Sequence, residues 1–306
     1  MYTNVEIFNE SIGYEIYFIK NSLKNLDKGE YLINRYGIVF KDHNYKTHLI
    51  NISDSFGSNL IPSYIKENLI PLVFTSSFKI IDMFFEYIIK TNETSCPWQF
   101  SAKIQLLEEK LCSYQKLNNI GEAELNSIFY LYKNLTIYRN KLIHGMWGKI
   151  ENEKMVFEMN GNKCEIEFEE VLAFANVSQI IGKVINSEEH SELIKAYVST
   201  LHRELNVLGR LMGDDFTKFK EEFVFYYNID YEINKLEEYV NVQIIREKVE
   251  KDLNAYRGGT PDKKFSSMFE IVVNNGTERW CIPSSKIDDG VKTIELKKYS
   301  NYLIRE

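Results

Sequence analysis

The residues best equipped for chemistry lie between positions 138 and 148, which read YRNKLIHGMWG. Arg139, Asn140 and His144 fall within six positions of one another. Histidine is the side chain that most readily moves a proton near neutral pH. Arginine presents planar donors that match a carboxylate or a phosphate. An arginine set among apolar residues must also be met by something, because stripping water from its charge costs on the order of several kcal/mol. A carboxylate, a neighbouring subunit or a phosphate would serve. The plainer alternative is a buried ion pair for Arg139, with His144 only ending a helix.

The element that positions these residues is a helix beginning near Glu122, where Glu122 and Glu124 favour the positive end of the helix dipole. Its apolar stripe is Leu125, Ile128, Phe129, Tyr132, Leu135 and Thr136. Further helical steps arrive at Arg139, then at Leu142 and Ile143. Asn140 and His144 stand about 40° apart around such a helix, whereas Arg139 and His144 stand about 140° apart. The three polar groups therefore line a ridge rather than a point. Gly145 reads as the C-terminal stop.

Around this helix the patterning is mostly helical. Val5, Phe8, Ile12, Ile16, Ile19, Leu23 and Leu26 mark a stripe over 4–26, and 27–60 are mixed, with a short helix or strand before a surface loop. Helical patterning returns near Pro62 and Ser63 and again after Pro71, a proline suited to the first turn of a helix running to about Lys90. Further helices are expected over about 99–117, 169–186 and 189–211. KMVFEM and CEIEFE flank NGNK, the signature of a β-hairpin. Beyond Gly213 lie helical patterns over 216–227 and 231–256, then strand-like FEIVV, RWCIP and TIELKKY. The expected division is an N-terminal helix and irregular segment (1–60) packing on the core, a helical domain (61–212) and a C-terminal α+β region (213–306).

Composition narrows the class. The chain has 306 residues, enough for a sizeable core, and 44% hydrophobic with 26% charged residues is ordinary for a globular protein. A net charge of −7 argues against nonspecific nucleic-acid binding over the whole surface, so any RNA contact needs a local basic cleft. Lys133, Lys141, Lys149 and Lys154 could rim one. Cys96, Cys112, Cys164 and Cys281 are far apart, which argues against a zinc site or a disulfide framework and fits a reducing cytoplasm. His43 and His48 lack a third ligand at metal spacing. The N-terminal MYTNVEIFNES is no signal peptide, and LIPLVFTSSFKIIDMFF is interrupted by Lys79 and Asp82, so no membrane association is expected.

RNKLIHG resembles the R-N-x-x-x-H-G form of the Arg-(four to six residues)-His motif of the HEPN superfamily. Arg139, Asn140 and His144 match it residue by residue, the likeness covers about 60–212, and the flanking helices fit it. The resemblance implies a mainly α, HEPN-like helical bundle with the β-hairpin as an insertion. It also implies a homodimer in which two motifs face one cleft. Many members are metal-independent endoribonucleases of toxin and anti-phage systems, acting on tRNA or other RNA without a cofactor and sometimes held by a regulatory protein partner. By that likeness His144 moves the protons, Arg139 holds phosphate, and Asn140 orients either one. Members often add an acidic or polar residue from an earlier helix. Asp82 and Glu86 are the candidates here, and the alternative for them is a solvent-facing pair opposite Lys79 and Lys90. Where some members carry a modifiable Tyr two residues past the His, this chain has Met146, with Trp147 as the nearest aromatic. A non-catalytic HEPN-like module that binds nucleotide, RNA or a partner protein is the competing expectation.

Overall fold

The computed structural model describes residues 5–23, 35–41, 44–48, 63–114, 119–145, 148–159, 161–186, 192–213, 216–233, 238–257, 265–274 and 278–304. In chain order these form helix α1 (Val5–Leu23), strands β1 (Arg35–Lys41) and β2 (Asn44–His48), and helices α2 (Ser63–Asn92), α3 (Phe100–Lys110) and α4 (Glu122–Ile143). Strands β3 (Lys149–Glu151), β4 (Lys154–Met159) and β5 (Asn162–Glu167) precede helices α5 (Phe168–Asn186), α6 (Glu192–Val207) and α7 (Gly209–Met212). Strands β6 (Phe223–Glu232) and β7 (Tyr239–Asn241), helix α8 (Val242–Arg257) and strands β8 (Phe265–Asn274), β9 (Arg279–Pro283), β10 (Thr293–Glu295) and β11 (Leu303–Ile304) complete the chain. The architecture is mainly helical, with small sheets. Among the described residues no helix is long and apolar enough to cross a membrane.

The chain divides into two compact units. The first comprises 1–30, 55–189 and 201–220, and the second 31–54, 190–200 and 221–306. Helix α1 packs on the helical unit, against α2 and α5. The segment after it does not: β1 pairs in parallel with β6 of the second unit.

Within the helical unit α2 is the hub, packing against α1, α4 and α5. Val73, Phe74, Ile80, Ile81, Phe84 and Phe85 form a broad buried face, while Leu72 and Lys79 are exposed on the other side of the helix. So wide an apolar face is stable only when several neighbours cover it. Contrary to expectation, α2 does not start at Pro71 but runs through it. The proline removes one intrahelical donor, and Thr75 turns its hydroxyl back to the carbonyls of Pro71 and Leu72, both at 3.0 Å. Burial on both sides of the proline holds the helix together despite the lost bond. Gly182 on α5 lets α1 approach closely, since a Cβ there would stand 3.0 Å from Ile12 Cδ1.

The hairpin is present, with Phe157 opposite Cys164 and Met159 opposite Asn162, and β3 adds a third strand. Glu170 fixes the start of α5 by accepting from the Glu167 N–H at 2.8 Å. Arg210 donates to the same carboxylate through Nε at 2.9 Å.

The second unit is built on a six-stranded sheet in the order β11-β9-β8-β6-β1-β2. Strands β6 and β8 run parallel, with α8 as the crossover between them. Phe225, Tyr227 and Ile229 of β6 join Ile245, Val249 and Ile271 in its core. Residues 223–232 are therefore a strand, not the helical segments the sequence suggested. FVFYYNIDYE is rich in aromatic and β-branched residues, and alternate positions pack into the core, which suits a pleated sheet. TIELKKY keeps strand geometry only over 293–295 before turning into a 3-10 segment.

Candidate functional site

Helix α4 delivers the motif at its C-terminal end. His144 is the capping residue, its N–H bonded to the Asn140 carbonyl at 3.1 Å. Gly145 follows at φ +65°, a left-handed conformation that costs glycine little, and its N–H reaches the Leu142 carbonyl at 3.3 Å. The helix thus stops where the glycine predicts, with the His144 side chain exposed.

Arg139 faces another way. Its guanidinium carbon lies 4.8 Å from the centre of the Phe100 ring on α3, and one terminal nitrogen donates to Asn140 Oδ1 at 3.1 Å. The ion pair considered for Arg139 is absent: no carboxylate among the described residues lies within salt-bridge distance of it. An aromatic face, rather than an anion, meets the charge. Arg139 also lines an open cavity of about 230 Å³, with Thr75, Ser76, Phe78, Lys79, Asp82, Phe100 and Ile143. Beneath it, Phe78 stacks on Tyr132 with ring centres 5.4 Å apart, and Phe100 lies 5.8 Å from Phe78.

Asp82 sits in the cavity wall. Its Oδ1 accepts from Lys103 Nζ at 2.6 Å and from the Tyr132 hydroxyl at 2.7 Å. Lys103 is only 1% exposed and also donates to Glu86 Oε1 at 2.8 Å, while Lys90 donates to Glu86 Oε2 at 2.9 Å. Two carboxylates are thus balanced by two ammonium groups, leaving the Arg139 charge unmatched. Burial alone would lower the pKa of Lys103, but Asp82 and Glu86 outweigh it and hold the group above its ordinary value. Burial beside Asp82 raises the Tyr132 phenol strongly, so it remains a donor. The solvent-facing alternative for Asp82 and Glu86 therefore does not apply as a pair. Asp82 bonds Lys103 rather than Lys79, and Glu86, which does bond Lys90, stays out of the cavity lining.

Burial also pushes the Glu86 carboxyl upward, yet its hydrogen bonds to Lys103 and Lys90 prevail and hold it below the ordinary carboxylate value. Glu124 is likewise lowered, by the bond from His202. A depressed folded-state pKa stabilises the fold above the unfolded value, and that stability is lost as pH falls through the folded value. The thermal midpoint measured by calorimetry is expected to fall below about pH 4.5. Glu86→Gln should start from a lower midpoint and fall less steeply, whereas a slope equal to that of the wild type would assign the acid sensitivity elsewhere.

The structure brings Arg139, Asn140 and Asp82 around or beside one cavity, and leaves His144 outside its lining. Lys141 is half-buried in the last turn of α4 with no ion-pair partner among the described residues. The wider basic rim is not free: Lys133 pairs with Glu108, Lys149 with Glu151, and Lys154 with Glu165 and Glu167. Trp147, Met146 and His43 lie outside the described residues. Sequence reasoning missed Phe100 and Lys103. Their signal was present, because Phe100, Lys103 and Leu107 share one helical face and a lysine on a buried stripe needs a partner, as Arg139 does.

Among the described residues no group of three or more His, Cys, Asp or Glu side chains is placed to hold a metal ion. Comparison with protein-family models, with curated proteins and with solved structures finds no match to this chain.

Proposed function

We propose that this chain is a HEPN-like endoribonuclease that acts without a metal ion, as a homodimer. The observation that carries the reading is the Arg139 guanidinium, held by Phe100 and Asn140 at a cavity wall while no carboxylate neutralises it. A charge kept in that state is disposed to receive an anion, and a planar fork of donors fits phosphate oxygens. The RNKLIHG motif supports the same assignment.

In this reading the ribose 2′-oxygen attacks the adjacent phosphorus, losing its proton to a base. The bond from phosphorus to the 5′-oxygen breaks and the leaving oxygen takes up a proton. The products are a 2′,3′-cyclic phosphate and a 5′-hydroxyl. His144 carries the protons, Arg139 binds the non-bridging oxygens and the charge that develops on them, and Asn140 holds the guanidinium in place. Because Arg139 and His144 stand on different sides of α4, a second copy of the chain completes the centre by bringing its own motif to the same cleft. A toxin or anti-phage role, with a regulatory protein partner, belongs to this proposal.

The competing reading, a nucleotide- or RNA-binding module without catalysis, is favoured by one observation: His144 does not line the cavity that Arg139 lines. The test is incubation of the purified chain with tRNA and total RNA in the presence of EDTA, with analysis of the ends formed. Cyclic phosphate ends support the nuclease. RNA that is bound and left intact gives the binding module.

A further inference from the structure

We infer that the cavity beside Arg139 is a subsite for one unstacked nucleobase, and that Asp82 selects a base offering adjacent N–H donors, guanine above all. The inference rests on the reading that RNA engages the Arg139 cavity, and it adds which nucleotide is read there.

The cavity has the chemistry of a base pocket rather than of a second phosphate or cation site. Its volume of about 230 Å³ and its Phe78 and Phe100 walls suit a flat, largely apolar ring. Asp82 supplies the specific contact. Oδ1 is spent on Lys103 and Tyr132, whereas Oδ2 accepts no hydrogen bond from a described residue. An acceptor at a cavity wall calls for a donor from whatever enters, since a polar atom left unpaired after water is expelled costs roughly 1–3 kcal/mol. That donor is a neutral N–H rather than a cation. Lys103 and Lys90 already balance Asp82 and Glu86, so a bound cation would add charge to a neutral cluster standing beside Arg139. A phosphate against Asp82 would meet a carboxylate, and so the phosphate belongs at the Arg139 side.

The four bases differ in what they offer one free carboxylate oxygen. Guanine presents the N1–H and the 2-amino group side by side. Adenine and cytosine present one exocyclic amino group next to an acceptor, and uracil one N–H between two carbonyls. Guanine therefore satisfies Asp82 with two donors and brings no acceptor to face it.

The test uses the full chain and nucleoside monophosphates, with affinities measured by titration calorimetry. GMP is expected to bind about tenfold or more tightly than UMP, the discrimination typical of a base-edge hydrogen bond. IMP, which lacks only the 2-amino group, should lose most of that advantage, a comparison that needs no variant. Asp82→Asn keeps an oxygen for Lys103 and Tyr132, and should erase the preference for GMP while UMP binding is retained. Arg139→Ala should weaken all four nucleotides alike. Equal binding of the four, absence of binding at millimolar concentration, or an Asp82→Asn effect of the same size on every nucleotide overturns the subsite. RNA cleavage without base preference would defeat the subsite and leave the nuclease standing. A guanine preference in a chain that cuts nothing would do the reverse.

Discussion

Arg139→Ala is expected to fold as the wild type does and, under the proposed nuclease activity, to lose RNA cleavage by about a hundredfold to a thousandfold, the usual loss when one charge-stabilising donor is removed from a transition state. Folding survives because the side chain is only half-buried and its contact with Phe100 contributes roughly 0.5–1 kcal/mol. His144→Ala should behave alike, with a loss of about a hundredfold to ten-thousandfold, as befits a proton-transfer group. Its side chain is exposed at the end of α4, so deletion leaves no cavity in the core. The measurement is the rate of formation of cyclic phosphate ends in EDTA, after thermal midpoint and oligomeric state have been matched to the wild type. Undiminished cutting by either variant sinks the assignment of that residue. If Arg139→Ala cuts slowly and also binds RNA poorly, whereas His144→Ala binds normally, the division between phosphate holder and proton carrier is confirmed.

The largest effect on stability is expected at Lys103. This lysine is almost wholly enclosed and bonds two carboxylates. Lys103→Met removes the ammonium while leaving Asp82 and Glu86 partly buried without their shared partner. Breaking such a group from one side typically costs about 3–5 kcal/mol. For a unit of this size that corresponds to a drop in thermal midpoint of roughly 6–20 °C. Replacing all three charges at once, as Lys103→Met with Asp82→Asn and Glu86→Gln, should recover much of the loss, because the penalty comes from stranded charge rather than from lost attraction. A single variant as stable as the wild type would show that water reaches both carboxylates freely.

The helical stripes, the hairpin and the stop at Gly145 could be read directly, since each rests on a local pattern of few residues. The interruption of the stripe at Arg139 also signalled that this side chain needed a partner. The identity of that partner could not be read, because Phe100 comes from another helix and the pairing depends on how α3 lies against α2 and α4. The same reason hid Lys103, which answers to Asp82 and Glu86 from 21 and 17 positions away. The misreading of 223–232 has a different origin. A short apolar run carries little information on its period, and its partners, β1 and β8, lie far off in sequence. At Pro71 the local rule was sound, but burial around α2 overrode it.

The only buried residues of α3 are Lys103 and Leu107. A helix that buries two side chains and is otherwise held by the more exposed ion pairs of Glu108 and Lys110 detaches at lower free energy than α2 or α4, whose apolar faces are enclosed. Its amide hydrogens should therefore exchange with solvent deuterium well before those of its neighbours. Each such excursion carries Phe100 away from Arg139 and dismantles one wall of the cavity. The site is then an intermittent assembly, and anything that pins α3 down, a ligand in the cavity included, raises the fraction of molecules in which it exists.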